Sequence, residues 1–151
     1  MKLWVDGKLG SPGTAIRATV KEHVANINRK VVSRGTRAVN AIRNAELEVL
    51  KGQRSGKIYR KYPYKSTYRA SAPGEAPARR SGNLRMHWNG NVKSESTSDG
   101  GITVIAELES QEPYAAVLEN GSRSMAPRPF VQPIIEKVTP EVKRILSEPY
   151  T

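Results

Sequence analysis

The chain has 151 residues, of which 37% are hydrophobic and 26% charged, and it contains no cysteine. This size suits a single domain with one core, and the absence of thiols excludes disulfides, cysteine zinc sites and iron–sulfur clusters. The net charge of +11 is uneven: residues 1–53 carry 10 basic and 4 acidic side chains, residues 54–93 carry 10 and 1, and residues 94–151 carry 5 and 9. The basic middle is therefore expected to face DNA, to face the acidic last third of a neighbouring copy, or to be a solvated loop.

The first half of the chain predicts a short N-terminal arm followed by one long helix. Residues 1–13 are rich in turn formers and are interpreted as the arm. From Thr14 onward, apolar or small residues recur at steps of three or four, which predicts an amphipathic helix over residues 14–50. The apolar stripe, with Ile27 as a core anchor, is expected to be buried.

A helix over residues 14–50 would be about 54 Å long, more than the width of a compact domain of this mass. We therefore expect part of it to contact another subunit, or to bend at Gly35. The opposite face is basic and is expected to be exposed. The predicted DNA-channel side chains on this face are Arg29, Lys30, Arg34 and Arg37.

Residues 51–83 show no sustained hydrophobic period and contain several glycines and prolines, four tyrosines and many basic residues. They are interpreted as an extended basic arm. Interleaved tyrosine, arginine and lysine is typical of protein interfaces and also of arms that bind nucleic acid. We favour a subunit contact for this arm and assign DNA to the arginines of the long helix.

The last part of the chain, residues 84–151, predicts a hairpin and two helices. Alternation in residues 84–88 and 102–108 predicts a β-hairpin over about 84–109, with turn signals at 89–91 and 98–101. Residues 114–119 predict a short helix closed by Gly121. A final amphipathic helix is predicted over 132–148. The expected fold is a single α+β domain, 1–151, with both long helices packed on a small antiparallel sheet, and Trp88, Leu118 and Phe130 as core anchors.

Catalytic motifs are missing from the sequence. There is no phosphate-binding glycine loop, no nucleophile elbow and no zinc-protease helix motif. The two histidines, His23 and His87, lie in different predicted elements. We expect neither an enzyme nor a bound metal or cofactor. No apolar run approaches the roughly 18 residues of a membrane span, so a soluble protein without a membrane partner is expected.

Two stretches carry a more specific pattern. The first comprises Gly56 to Arg60, Tyr68 to Ala78 and Ser81 to Leu84, and the second comprises Tyr114-Ala115, Leu118-Glu119, Gly121-Ser122 and Met125 to Phe130. In order and composition they resemble the tail components of tailed bacteriophages, the tail-completion or neck proteins that join the head connector to the tail tube.

This resemblance implies a structural virion protein in the phage neck, assembled in the host cytoplasm as a homo-oligomeric, six-fold ring. The implied partners are a head-connector or head-closure protein, a tail-terminator or tail-tube protein, and genomic DNA in the lumen. The alternative is a non-specific nucleic-acid-binding protein that uses the basic arm and helix face. The expected subunit or partner contacts are Tyr59, Arg60, Tyr62, Tyr64, Tyr68, Arg69, Pro73, Gly74, Glu75, Pro77 and Arg128, although a surface salt bridge between Arg128 and Glu119 is an equal alternative for that arginine.

Overall fold

The computed structural model describes residues 12–99 and 101–150, with side chains from Val20 onward. The expected N-terminal arm, residues 1–13, therefore lies outside the described residues except for its last two, which begin the first helix. The elements in chain order are α1 (Pro12–Val49), β1 (Ile58–Arg60), β2 (Thr67–Arg69), α2 (Asn83–Met86), β3 (Trp88–Ser96), β4 (Ile102–Ser110), α3 (Ala115–Asn120) and α4 (Val131–Ser147). The predicted α+β class is confirmed.

Two separate antiparallel hairpins form the strands. In the first, Ile58 pairs with Arg69, and in the second, Trp88 pairs with Ser110 and Ser96 with Ile102. The inner face of the second hairpin and helix α4 both pack against α1. The core lies at the C-terminal half of α1, where the buried members of the cluster are Ala45, Leu50, Leu84, Phe130, Ile134 and Val138.

Two glycines allow α1 and the second hairpin to approach closely. A Cβ atom at Gly35 would lie 2.7 Å from Cγ1 of Val104, and one at Gly90 would lie 2.4 Å from Cγ1 of Val39. Both distances are shorter than carbon atoms tolerate, so any side chain at these positions would push the layers apart. The helix continues through Gly35 without a break, and this glycine serves the contact with the hairpin.

The C-terminal predictions agree with the structure. Gly121 ends α3 with a positive φ of 78°, and α4 begins one residue before its predicted start. Phe130 is 2% exposed and meets the ring of Trp88 edge to face, with the centroids 6.1 Å apart. Leu118 packs against the same cluster. These three core anchors are confirmed.

The prediction that Ile27 is a fourth core anchor is wrong. It is 44% exposed, because the hairpin and α4 cover α1 only from about Val31 onward. The 3.6-residue period identifies which face of a helix is apolar, but it does not identify what covers that face. The stripe is buried in the second half of α1 and uncovered in the described part of the first half.

The hairpin prediction is wrong at its start, where residues 83–86 form the short helix α2. Gly82 precedes it with a left-handed φ of 93°, and the indole N–H of Trp88 donates to the carbonyl of Leu84. Leu84 and Trp88 are four residues apart, the spacing of one helical turn, and their contact comes from the helical turn of α2 and not from strand alternation. Residues 89–91 are strand instead of turn, because Gly90 lies in the contact with Val39.

Residues 51–83 are more ordered than the predicted extended arm. Strands β1 and β2 form a hairpin, which contains a cis peptide bond between Tyr62 and Pro63. The following residues pack on the domain, since Ser71 is buried and the amide of Gly74 donates to the carbonyl of Pro127 at 3.1 Å. Backbone pairing, which leaves no trace in hydrophobic periodicity, supplies this order.

Candidate interaction surfaces

The first candidate surface is the exposed apolar stripe of α1, which we define as Val20, Val24 and Ile27. Steps of four and three place these side chains on one helix face, and they are 49%, 37% and 44% exposed. Between Val20 and Lys30 every side chain except Asn28 is exposed. Three uncovered aliphatic side chains in one line are a surface suited to another protein.

Three of the four predicted DNA-channel residues are instead held by the C-terminal segment. Arg34 is buried. Its guanidinium donates to the carbonyl of Pro149 at 2.8 Å and lies 3.7 Å from the ring centroid of Tyr150. Lys30 donates to the carbonyl of Tyr150, and Arg37 forms a two-pronged pair with Glu148 at 2.6 and 2.7 Å.

The prediction of an exposed basic face is therefore wrong for Arg34. Lys30 and Arg37 are exposed as predicted, and each also contacts residues near the C-terminus. Arg29 is exposed and donates to the side chain of its neighbour Asn26. The physical reason lies in the C-terminal residues 146–150, which return to α1 and offer it backbone carbonyls, one carboxylate and an aromatic face. Partners more than 100 positions away in sequence leave no local pattern that could have revealed them.

The hairpin β1–β2 presents the second candidate surface, an aromatic and basic tip. Tyr59 and Tyr68 stack with their centroids 5.8 Å apart, whereas Tyr62 and Tyr64 project into solvent. Arg60 and Arg69 are also exposed; the latter donates to the carbonyl of Gly56 at 3.2 Å. Five of these six predicted contact residues are thus exposed, and Tyr68 is half-buried.

The turn at residues 72–77 is held to the segment around Ser55 by hydrogen bonds to Glu75. Glu75 accepts hydrogen bonds from the amides of Ser55 at 3.0 Å and Ala72 at 2.8 Å and from the Ser55 hydroxyl. These bonds lower the pKa of Glu75 to about 2. Glu75 and the buried Pro77 therefore serve this chain's own fold, and the burial of Pro77 contradicts its prediction as a partner contact. Pro73 and Gly74 are exposed as expected.

The third candidate surface is a cleft of about 390 Å³ where the two patterned stretches of the sequence meet. We call it the arginine cleft, because four arginines line it beside Tyr68, Leu84, Tyr114, Leu118 and Met125: they are Arg79, Arg80, Arg85 and Arg128. None of the lining residues is acidic. Arg85 donates from Nε to the carbonyl of Leu47 at 3.1 Å, and Arg80 lies over the Tyr68 ring at 5.8 Å.

Within the described chain, Arg128 lacks a hydrogen bond at one of its buried nitrogens. Its Nη1 is buried and has no hydrogen-bond partner among the described residues. The salt bridge to Glu119 considered from the sequence does not form, because Oε2 of Glu119 accepts the amides of Phe130 at 2.7 Å and Val131 at 3.1 Å at the start of α4. The backbone of Arg128 is fixed by a 2.7 Å bond from its amide to the carbonyl of Leu118.

The sequence analysis missed one buried acid, Glu46. Its side chain is fully buried and accepts a hydrogen bond from Arg43 through Oε2, while Oε1 has no partner among the described residues. Burial raises the pKa of Glu46 to about 7, against the opposing charges of Arg43 and Arg85. The sequence does contain a signal for this burial, because Glu46 lies between Ala45 and Val49 on the apolar face of the helix.

Comparison of the chain with models of protein families, with curated proteins and with solved structures gives no match. Among the described residues, no helix is both long enough and apolar enough to cross a membrane. The same residues contain no group of three or more histidine, aspartate or glutamate side chains placed to hold a metal ion. The site therefore has to be interpreted from its own geometry.

Proposed function

We propose that this chain is a structural subunit of a tailed-phage neck, a tail-completion protein that assembles into a homo-oligomeric ring around the DNA channel. The observation that carries the proposal is the exposed apolar stripe of α1. A helix of 38 residues is about 57 Å long, and its free part presents aliphatic side chains to water. Exposed aliphatic side chains aligned on a helix that leaves its domain favour contact with another subunit.

The resemblance to phage tail components supports the same proposal. Its two stretches, about 30 residues apart in sequence, line one cleft and are joined by the hydrogen bond between Gly74 and Pro127. A pattern whose parts converge in space has a shared structural role. In this proposal the ring has six copies and lies in the virion neck between a head-connector or head-closure protein and a tail-terminator or tail-tube protein. It works without a cofactor and catalyses no reaction.

Non-specific nucleic-acid binding is the second candidate function, and a different observation favours it. The tip of hairpin β1–β2 exposes Tyr62, Tyr64 and Arg60 together. Exposed rings can stack on bases while guanidinium groups contact phosphates. Because Arg34 is buried, and Lys30 and Arg37 are partly engaged by the C-terminal segment, this tip is the stronger candidate for contact with DNA. Within a ring, the tip could contribute to the lumen, so the two functions are compatible.

The experiment measures oligomeric state by size exclusion with light scattering, at several protein concentrations and with duplex DNA. The test variant replaces Val20, Val24 and Ile27 by serine, and the matched control replaces Val131 and Ile135, two exposed side chains of α4, by serine. We expect the wild type and the control to form one closed oligomer. The test variant should be monomeric, with the melting temperature of wild type that has been diluted to the monomer. A wild type that stays monomeric at every concentration overturns the ring, and binding of that monomer to DNA then favours the second candidate.

A further inference from the structure

The arginine cleft has the chemistry of a site for carboxylates. Four guanidinium groups line about 390 Å³ without an acidic side chain among the lining residues. Guanidinium groups pair with carboxylates in a planar, two-pronged geometry. The cleft lining also includes Arg128, whose Nη1 is buried without a hydrogen-bond partner among the described residues.

The acidic counterpart lies at the far end of the second hairpin. Residues 94–99 contain Glu95 and Asp99, no basic side chain, and otherwise only serine and threonine. Both acids are exposed, and neither forms an ion pair within the part of the chain that the structure describes. We call this segment the acidic tip. Its small side chains give it a narrow cross-section that suits a cleft.

The acidic tip cannot reach the cleft of its own chain. Strand β3 begins at Trp88, whose indole is hydrogen-bonded to Leu84, a residue that lines the cleft. From there the strand runs away from the cleft to Ser96. Eight residues of strand span about 26 Å, and the pairing with β4 along the whole strand prevents it from folding back. The tip is therefore available only to the cleft of another copy.

We propose that the acidic tip of one copy inserts into the arginine cleft of the next, so that Glu95 and Asp99 pair with the arginines of the neighbouring subunit. This inference rests on the proposed ring, and it supplies that ring with a specific head-to-tail contact. Two different surfaces that complement each other generate a closed ring when the rotation between copies closes. The contact also uses the basic middle and the acidic last third of the chain on opposite sides of one interface.

Charge reversal tests the pairing. One variant, Arg79→Glu with Arg80→Glu, places two acidic side chains at the exposed positions of the cleft and cancels its net positive charge. A second variant, Glu95→Lys with Asp99→Lys, makes the tip basic. Each variant alone brings like charges together, and we expect its association to weaken by roughly 100-fold or more. An equimolar mixture restores opposite charges at every contact, so it should assemble. The control for the cleft variant, Lys57→Glu with Lys143→Glu at two exposed positions, lowers the net charge as much as the cleft variant does and should assemble like the wild type.

The outcomes separate this inference from the ring itself. Assembly of the mixture, with neither variant assembling alone, supports the pairing. A wild type that assembles together with both variants overturns the pairing and leaves the ring intact, whereas a monomeric wild type overturns both. If the cleft variant assembles normally but loses retention of duplex DNA, the cleft takes phosphate and the pairing is wrong. Thermal unfolding verifies that each variant is folded. The tip variant is informative by itself because both substituted side chains are exposed, Glu95 near the end of β3 and Asp99 in the turn that follows.

Discussion

Replacing the buried Glu46 by glutamine should remove a pH dependence from the stability of this protein. Below pH 4.5 the carboxyl group is protonated in both the folded and the unfolded chain. Between 4.5 and about 7 the folded chain retains a proton that the unfolded chain has lost, since burial raises the pKa of Glu46 to about 7. Stability contributed by this proton is complete at low pH and is lost as the pH rises towards 7.

The difference between 4.5 and about 7 corresponds to a loss of about 3 kcal/mol in the free energy of unfolding of the wild type between pH 5 and pH 8. The Glu46→Gln variant carries a neutral side chain of similar shape, so its free energy of unfolding should lack this loss. Relative to the wild type, it should gain about 3 kcal/mol over that interval. Because both proteins contain His23 and His87, the difference between them isolates Glu46.

The measurement is urea unfolding followed by far-ultraviolet circular dichroism at several pH values between 5 and 8. Dilute protein keeps assembly from contributing to the free energy. Parallel pH profiles for the wild type and the variant would refute the reasoning and would mean that Glu46 is ionised or solvated in the folded chain.

Three further substitutions test the packing. Phe130→Ala should lower the free energy of unfolding by about 3 to 5 kcal/mol, because it empties the space beneath Trp88; a loss under 1 kcal/mol would contradict the burial. Gly90→Ala should cost about 1 to 3 kcal/mol, since the new methyl group collides with Val39, and an equally stable variant would show that the two layers can separate freely. Ile27→Asp should leave the unfolding of dilute monomer nearly unchanged, and a loss of several kcal/mol would mean that this side chain is covered within its own subunit.

The elements that the sequence predicted well are those with local signals. Helix α4 has an apolar period, Gly121 follows α3 as a stop, and Phe130 is the only phenylalanine of the chain. Helix α2 was mistaken for strand because its four residues are too few to show a period, and alternation over residues 84–88 resembles a strand by chance. Local patterns report the conformation of a segment and which of its faces is apolar.

The parts that the sequence could not predict depend on distant partners. Arg34 and Ile27 lie on the same helix, yet the charged residue is buried and the aliphatic one exposed. The acceptors of Arg34 come from residues 146–150, and nothing in the described chain covers Ile27. Likewise, the cleft around Arg128 arises from segments far apart in sequence. In such sites tertiary contacts outweigh hydropathy, and they become visible only in three dimensions.

Helix α1 joins two regions of different local stability in one continuous element. Its second half is enclosed by α4 and the hairpin, so its amides open only when the domain unfolds. Residues 20–29 have only backbone hydrogen bonds and the local contact between Arg29 and Asn26 to keep them helical, and a helical segment of this length is marginally stable in water without tertiary packing. Amide hydrogen exchange should therefore accelerate steeply towards the N-terminus of an isolated subunit. Any neighbour that covers this segment stabilises the helix as it binds, which makes helix formation and subunit association cooperative.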